Sequence, residues 1–203
     1  MVYKQDVSLA IIRNQILTPA PSNLTVIPDH ILESVTPVFV IRNPVFAVPS
    51  NYTALERTSH FRPGDEGWKL ATGMQLQRRL FDFFNDRDGR PPLVIDGDDV
   101  VWRTEPVRDG LCQALEIDPQ ALSETWEPVP EHQRSKDPLI KHFLHSIDES
   151  TGIERPSQTH PEPDLVKTHN KWVEKYGRGV ADQIKLTVEE NMSHYEYMRQ
   201  FKV

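Results

Sequence analysis

The sequence predicts an α/β fold in which a parallel sheet is flanked by helices and is followed by a helical C-terminal part. Three observations support this class. Two short apolar runs lack polar alternation, an amphipathic helical pattern separates them, and the C-terminal part shows helical patterns only. Strands covered on both faces read as continuous apolar runs, and strands that alternate with helices are typical of parallel sheets.

The two clearest strand signals are Thr36 to Ile41 and Pro92 to Ile95, which are short, apolar and rich in β-branched residues. Val2 to Val7 alternates between apolar and polar residues, so we predict a third strand there, at an edge of the sheet. Ligands of parallel sheets bind beyond the carboxyl ends of the strands. Arg42 and Asp96, which follow or end the two clear strands, are therefore candidate site residues.

Helical spacing of apolar residues predicts helices at Trp68 to Asn85 and Pro106 to Leu115, and then at Leu139 to Ser146, His169 to Tyr176 and Gly179 to Phe201. In the last helix an apolar stripe predicts packing on the sheet layer. This stripe consists of Val180, Ile184, Val188, Met192, Tyr195 and Met198.

Two stretches combine proline with charge and contain few apolar residues, which indicates connecting loops. They are Glu127 to Asp137 and Thr151 to Asp164. The predicted organisation is therefore an α/β core at 1–126, a proline-rich connecting segment with one short helix at 127–164, and C-terminal helices that pack on the core at 165–203.

Composition excludes several function classes. Acidic residues outnumber basic ones 30 to 23, so no broad basic face is available for a nucleic-acid backbone. No apolar run approaches the roughly 18 residues of a membrane span, and no signal-peptide pattern is present. The lone Cys112 cannot form an internal disulfide, so we expect a cytoplasmic, reducing compartment. The eight histidines lack a zinc-binding spacing, and no metal is expected.

The segment TPVFVIRNPVFAVPSNY, residues 36–52, is the most informative one. Arg42 follows the strand directly, and Ser50 stands eight residues later, in the second turn of the predicted helix. An arginine fork and a hydroxyl could converge there on one phosphate. The alternative is that Arg42 pairs with a nearby acid and that Ser50 is an ordinary helical residue.

Three aspartates follow the second strand in VIDGDDV, namely Asp96, Asp98 and Asp99. Paired carboxylates of this kind also match the nucleophile loop of Mg²⁺-dependent phosphatases of the haloacid-dehalogenase type. The alternative is a turn in which Asp98 or Asp99 caps a helix.

The pattern strand–IRNP–VFAVPS resembles the 3′-phosphate-binding motif of sulfotransferases, which use 3′-phosphoadenosine 5′-phosphosulfate (PAPS). QRRLFDFF, PLVIDGDDVVWRTEPVRDGLCQALEID, LSETWEPVP and the closing helices resemble a divergent, largely fungal branch of that family. The resemblance implies a P-loop NTPase-like sheet, PAPS as the cofactor, and a 3′-phosphate held by Arg42 and Ser50. Near the start, Lys4 matches a lysine that stabilises transferred charge, and Asp6 stands where the family has a histidine base.

The family's phosphosulfate loop, P-x-S-G-[ST]-T, is not found in this sequence. We therefore expect an N-terminally truncated or repurposed fold that acts on or binds a small molecule, without enzymatic sulfate transfer from PAPS. The alternatives are a non-catalytic small-molecule-binding scaffold or accessory protein of a biosynthetic pathway, and a Mg²⁺-dependent phosphatase built on Asp96 and Asp98. An open sheet edge further predicts a homodimer, or a segment Ser8 to Glu33 that folds across the edge.

Overall fold

The computed structural model describes residue 25 and residues 27–58, 62–155 and 163–203. The predicted strand Val2 to Val7, with Lys4 and Asp6, lies outside these residues, as does most of the segment Ser8 to Glu33. The predictions for them, the homodimer and the division into three parts stay predictions.

Two parallel strands form a small sheet at the centre of an otherwise helical structure. The order of elements is α1 (Asp29–Glu33), β1 (Val38–Ile41), α2 (Pro44–Thr58), α3 (Glu66–Thr72), α4 (Gln75–Asp88), β2 (Leu93–Asp96), α5 (Gly97–Trp102), α6 (Thr104–Leu115), α7 (Pro138–Glu149), α8 (Leu165–Tyr176) and α9 (Arg178–Arg199). The α/β class is thus confirmed, while the relation to P-loop NTPases stays a prediction. Within the described part of the chain, no helix combines the length and apolar character that a membrane crossing needs.

β2 lies between β1 and the C-terminal residues. The register of the two strands places Val38 opposite Leu93 and Ile41 opposite Asp96. On its other side β2 meets the chain end, because Val94 forms a parallel bridge with Lys202 and the Val203 N–H donates to the Val94 carbonyl at 3.0 Å. The C-terminus is therefore part of the sheet layer.

The two faces of β1 differ in burial. Phe39 and Ile41 are buried on one face, whereas Val40 is 57% exposed on the other. The predicted continuous burial of this strand holds for one face only, since among the described residues no helix covers Val38 and Val40. β2 satisfies the prediction better, because Val94, Ile95 and Asp96 are all buried.

The single predicted helix at Trp68 to Asn85 is two helices, α3 and α4, separated at Gly73. Gly73 has extended backbone angles, and the following Met74 N–H donates to the Asn191 side-chain oxygen at 2.7 Å instead of continuing the helix. A tertiary hydrogen bond from α9 therefore stabilises a break that apolar spacing alone does not reveal.

The core consists of two clusters that share α9. The sheet cluster contains Leu32, Phe39, Ile41, Leu80, Phe81, Phe84, Val94, Tyr195 and Met198. The helical cluster contains Val45, Val48, Tyr52, Leu55, Trp68, Trp172, Ala181, Ile184 and Val188. Met192 packs against both. The predicted apolar stripe of the last helix is therefore confirmed, and it connects the layer of α2, α3 and α8 to the sheet.

Candidate functional site

The candidate site lies where β1 and β2 end side by side. Because the strands are parallel and Ile41 is opposite Asp96, Arg42 and the start of α5 emerge at the same edge. Arg42 Nε donates to Asp98 Oδ1 at 3.3 Å, which closes this edge with an ion pair. The alternative interpretation of Arg42, an arginine paired with a nearby acid, is thus observed.

Arg42 retains unused hydrogen-bonding capacity. Its side chain is 52% exposed, whereas that of Asp98 is 15% exposed. Among the described residues only Asp98 engages the guanidinium, through Nε, and the two terminal nitrogens have no hydrogen-bond partner there. A guanidinium oriented in this way can donate several further hydrogen bonds to an incoming anion.

Helix α2 begins two residues after Arg42. Pro44 occupies the first helical position, and the Asn43 side-chain oxygen accepts from the Val45 N–H at 2.9 Å, which caps the helix. No acidic residue lies in the first turn, so the positive end of the helix dipole is not offset locally. Arg42 and the start of α2 therefore place two sources of positive potential near each other.

Ser50 lies in the second turn of α2 and is exposed. At 1.5 Å per residue it is about 9 Å along the axis from Pro44. An anion held by both Arg42 and Ser50 would have to lie along the side of the helix rather than at its end. Their convergence on one phosphate stays a prediction.

Asp96 is buried, with both carboxylate oxygens engaged. Oδ1 accepts from the Asp98 N–H at 3.1 Å, and Oδ2 accepts from the Tyr195 hydroxyl at 2.6 Å. Burial, and then the Asp96 carboxylate, raise the pKa of Tyr195 well above its usual range, so the phenol remains protonated and donates. Asp96 thus anchors α9 to the end of β2.

An aspartate caps the helix that follows β2, as predicted, but it is not one of the two aspartates that the sequence suggested. Asp96, not Asp98 or Asp99, caps α5, because the aspartate at the strand end is the one whose side chain faces the first free N–H groups. Asp98 instead pairs with Arg42, and Asp99 contacts Lys202 and, at 3.9 Å, Arg103.

These partners bear on the phosphatase hypothesis. A Mg²⁺ ion on Asp96 would compete with the Tyr195 hydroxyl and the Asp98 N–H for the carboxylate oxygens, and on Asp98 it would lie beside the positively charged Arg42 guanidinium. Among the described residues, no group of three or more histidine, cysteine, aspartate or glutamate side chains is placed to hold a metal ion. No observation therefore favours that alternative.

Tyr195 and Lys202 belong to this site but are not identified by their sequence. Tyr195 falls within an apolar stripe and reads as an ordinary core residue, and Lys202 is a charged residue near the chain end. They act on Asp96 and Asp99, which are 99 and 103 positions away. No local pattern connects residues at such separations.

Comparison with known proteins gives two relatives. The chain is 31% identical over 195 residues to the protein named sulfotransferase ppzF from Metarhizium majus and 30% identical over 196 residues to the protein of that name from Metarhizium rileyi. Each alignment covers 90% of this chain and 57% of the relative, so the chain spans a little over half the length of the curated relatives it matches. No family model matches the chain, and no solved structure matches it significantly.

Proposed function

We propose that the chain belongs to a divergent fungal sulfotransferase-like family and that it binds a nucleotide 3′-phosphate at the carboxyl edge of β1. The chain is similar over nine-tenths of its length to two fungal proteins named as sulfotransferases. The nucleotide of this class is PAPS, which supplies the sulfuryl group. The partner of the reaction is a small molecule, and the chain's own contribution is to bind and orient the nucleotide.

The hydrogen bonding and exposure of Arg42 are the observations that support this proposal. Asp98 holds the guanidinium through Nε and leaves the terminal nitrogens without a described partner, in a side chain that is half exposed. An arginine held by an acid on one side loses less conformational freedom when an anion binds on the other. Asp98 is thus a positioning residue for Arg42 in this proposal.

Ser50 completes the proposed anion site, along the side of α2. The Ser50 hydroxyl is exposed and can donate one hydrogen bond to a phosphate oxygen. By resemblance alone, Lys4 and Asp6 occupy the positions that stabilise transferred charge and accept the proton of the acceptor. Because Asp6 replaces the histidine of the family, we still expect no sulfate transfer from PAPS at an enzymatic rate.

The test compares two nucleotides that differ in one phosphate. We expect adenosine 3′,5′-bisphosphate to bind more tightly than adenosine 5′-monophosphate, as measured by calorimetry and by thermal stabilisation. Hydrogen bonds to charged groups contribute about 1.5–3 kcal/mol, so the 3′-phosphate should improve the dissociation constant about 10- to 100-fold. Arg42→Ala should remove most of this difference, and Ser50→Ala should remove a smaller part.

Arg103→Ala is the matched control. The side chain of Arg103 is 55% exposed, close to the 52% of Arg42. It also pairs with an acid of α5, Asp99, but it follows α5 rather than β1. The control should leave the preference for the 3′-phosphate unchanged. Equal affinity for the two nucleotides, or equal losses in the two arginine variants, would contradict the proposal and favour the non-catalytic scaffold.

A further inference from the structure

A cleft separate from the site around Arg42 lies between α3, the start of α4 and the middle of α9. Its volume is about 710 Å³, which falls within the range of about 300–1,000 Å³ typical of small-molecule sites. Apolar surface comes from Leu70 and Leu76, and charged or titratable groups come from Glu66, Lys69, Glu190 and His194. None of these residues belongs to the site around Arg42.

The floor of the cleft is held by internal hydrogen bonds. Thr187 Oγ1 accepts from the Trp68 indole N–H at 2.9 Å and donates to the Gln183 carbonyl at 2.9 Å. The Asn191 amide donates to the Thr187 carbonyl at 2.9 Å, and its oxygen accepts from the Met74 N–H. Because these polar groups already bond to one another, the floor of the cleft determines its shape. Hydrogen bonds to a ligand would come from the side chains of the walls.

The walls carry polar groups that are not engaged in this way. The side chains of Glu66 and Lys69 on α3 and of Glu190 on α9 make no hydrogen bond or ion pair to a described residue, and all three residues are exposed. His194 is half-buried, and its imidazole likewise makes no hydrogen bond to the described part of the chain. Burial, and then the nearby Arg78, lower the pKa of His194. The imidazole is therefore neutral at neutral pH, and one of its ring nitrogens can accept a hydrogen bond.

We propose that this cleft binds an amphipathic small molecule that carries a primary ammonium group. Such a group has three N–H donors, and the walls present three acceptor-bearing side chains, Glu66, Glu190 and His194. Two carboxylates against one lysine make the cleft net negative, which favours a cation. The apolar body of the ligand would lie on Leu70 and Leu76. This site does not depend on nucleotide binding at Arg42.

The proposal predicts opposite effects on ligand affinity when a negative or a positive charge is removed from the cleft. Removing a carboxylate in Glu190→Gln should weaken binding of a cation about fivefold, while removing the ammonium in Lys69→Gln should strengthen it about two- to threefold. Glu189→Gln is the matched control, because Glu189 is the neighbouring residue of α9, is outside the cleft lining and pairs with Lys185 at 3.6 Å. It changes the net charge equally but should not alter binding.

The experiment uses three probes with the same indole body, namely tryptamine, tryptophol and indole-3-acetate. Binding is measured by titration of amide chemical shifts of the full chain, which also shows that each variant is folded. We expect tryptamine to bind at least about fivefold more tightly than tryptophol, and indole-3-acetate to bind most weakly. The shifts should be confined to residues 66–76 and 187–194.

The proposal is overturned by any of three results. One is equal affinity for tryptamine and tryptophol, or no binding of either. Another is an equal effect of the substitutions at Glu190 and Glu189 on tryptamine affinity. The third is a set of shifts centred away from α3 and α9. Loss of binding in Glu190→Gln together with a gain in Lys69→Gln supports it.

Discussion

Replacing Tyr195 with phenylalanine removes one hydroxyl from the centre of the sheet cluster. Tyr195 is 3% exposed and Asp96 is 4% exposed, and the two are joined by a hydrogen bond of 2.6 Å. The substitution leaves the ring and its packing in place. It deprives one buried carboxylate oxygen of its donor, while the other oxygen retains the Asp98 N–H.

The expected cost follows from this geometry. A hydrogen bond to a charged group contributes about 1.5–3 kcal/mol, and a buried acceptor left without its partner costs about 1–3 kcal/mol. We therefore expect the free energy of unfolding to fall by about 2 kcal/mol at neutral pH. For a chain of this length, a loss of that size lowers the melting temperature by about 4–8 °C.

Urea titration followed by circular dichroism measures this difference, with the slope of the transition as a check that both proteins unfold in the same way. Tyr197→Phe is the matched control. Tyr197 lies on the same helix and its ring packs on Phe81 and under the Arg78 guanidinium, but its hydroxyl makes no hydrogen bond to a described residue. The control should change stability by less than about 0.5 kcal/mol. If the two variants lose equal stability, the assignment of Tyr195 as the anchor of Asp96 is wrong.

Two further predictions concern pH and backbone. Folding raises the pKa of Tyr195 above its unfolded value of about 10. The stabilising contribution of its hydroxyl is therefore complete below pH 10 and is lost as the pH rises further. In urea titrations above pH 10, the wild type should lose stability more steeply than Tyr195→Phe, by up to about 1.4 kcal/mol per pH unit. Gly177 joins α8 to α9 with a φ of +81° and open space around it, so Gly177→Ala should destabilise by about 1–2 kcal/mol through backbone strain alone. Gly179→Ala, which also meets open space but lies within α9, should instead stabilise by about 0.5–1 kcal/mol, and thermal melts that show the same sign for both would contradict this.

The features that the sequence predicts correctly are those encoded over a few neighbouring residues. The strands predicted at 36–41 and 92–95 appear as β1 and β2, because short apolar runs rich in β-branched residues favour paired strands. In the stripe of α9, Ile184, Val188, Tyr195 and Met198 are buried, and the partly buried Val180 and Met192 pack against the core. The two strand-end residues, Arg42 and Asp96, lie at one edge because parallel pairing brings carboxyl ends together. The resemblance to fungal sulfotransferases is likewise confirmed by two relatives.

The features that only the tertiary structure decides depend on contacts between distant positions. Asn191 stabilises the break between α3 and α4 from 117 positions away, and Tyr195 selects Asp96 as the buried partner from 99 positions away. Neither contact can be predicted from hydrophobic periodicity. A side chain that donates a hydrogen bond to another element has the same spacing along its helix as a side chain that only packs. The use of Asp98 to hold Arg42 has the same origin, because the register of two strands, and not the local sequence, determines which carboxylate meets the guanidinium.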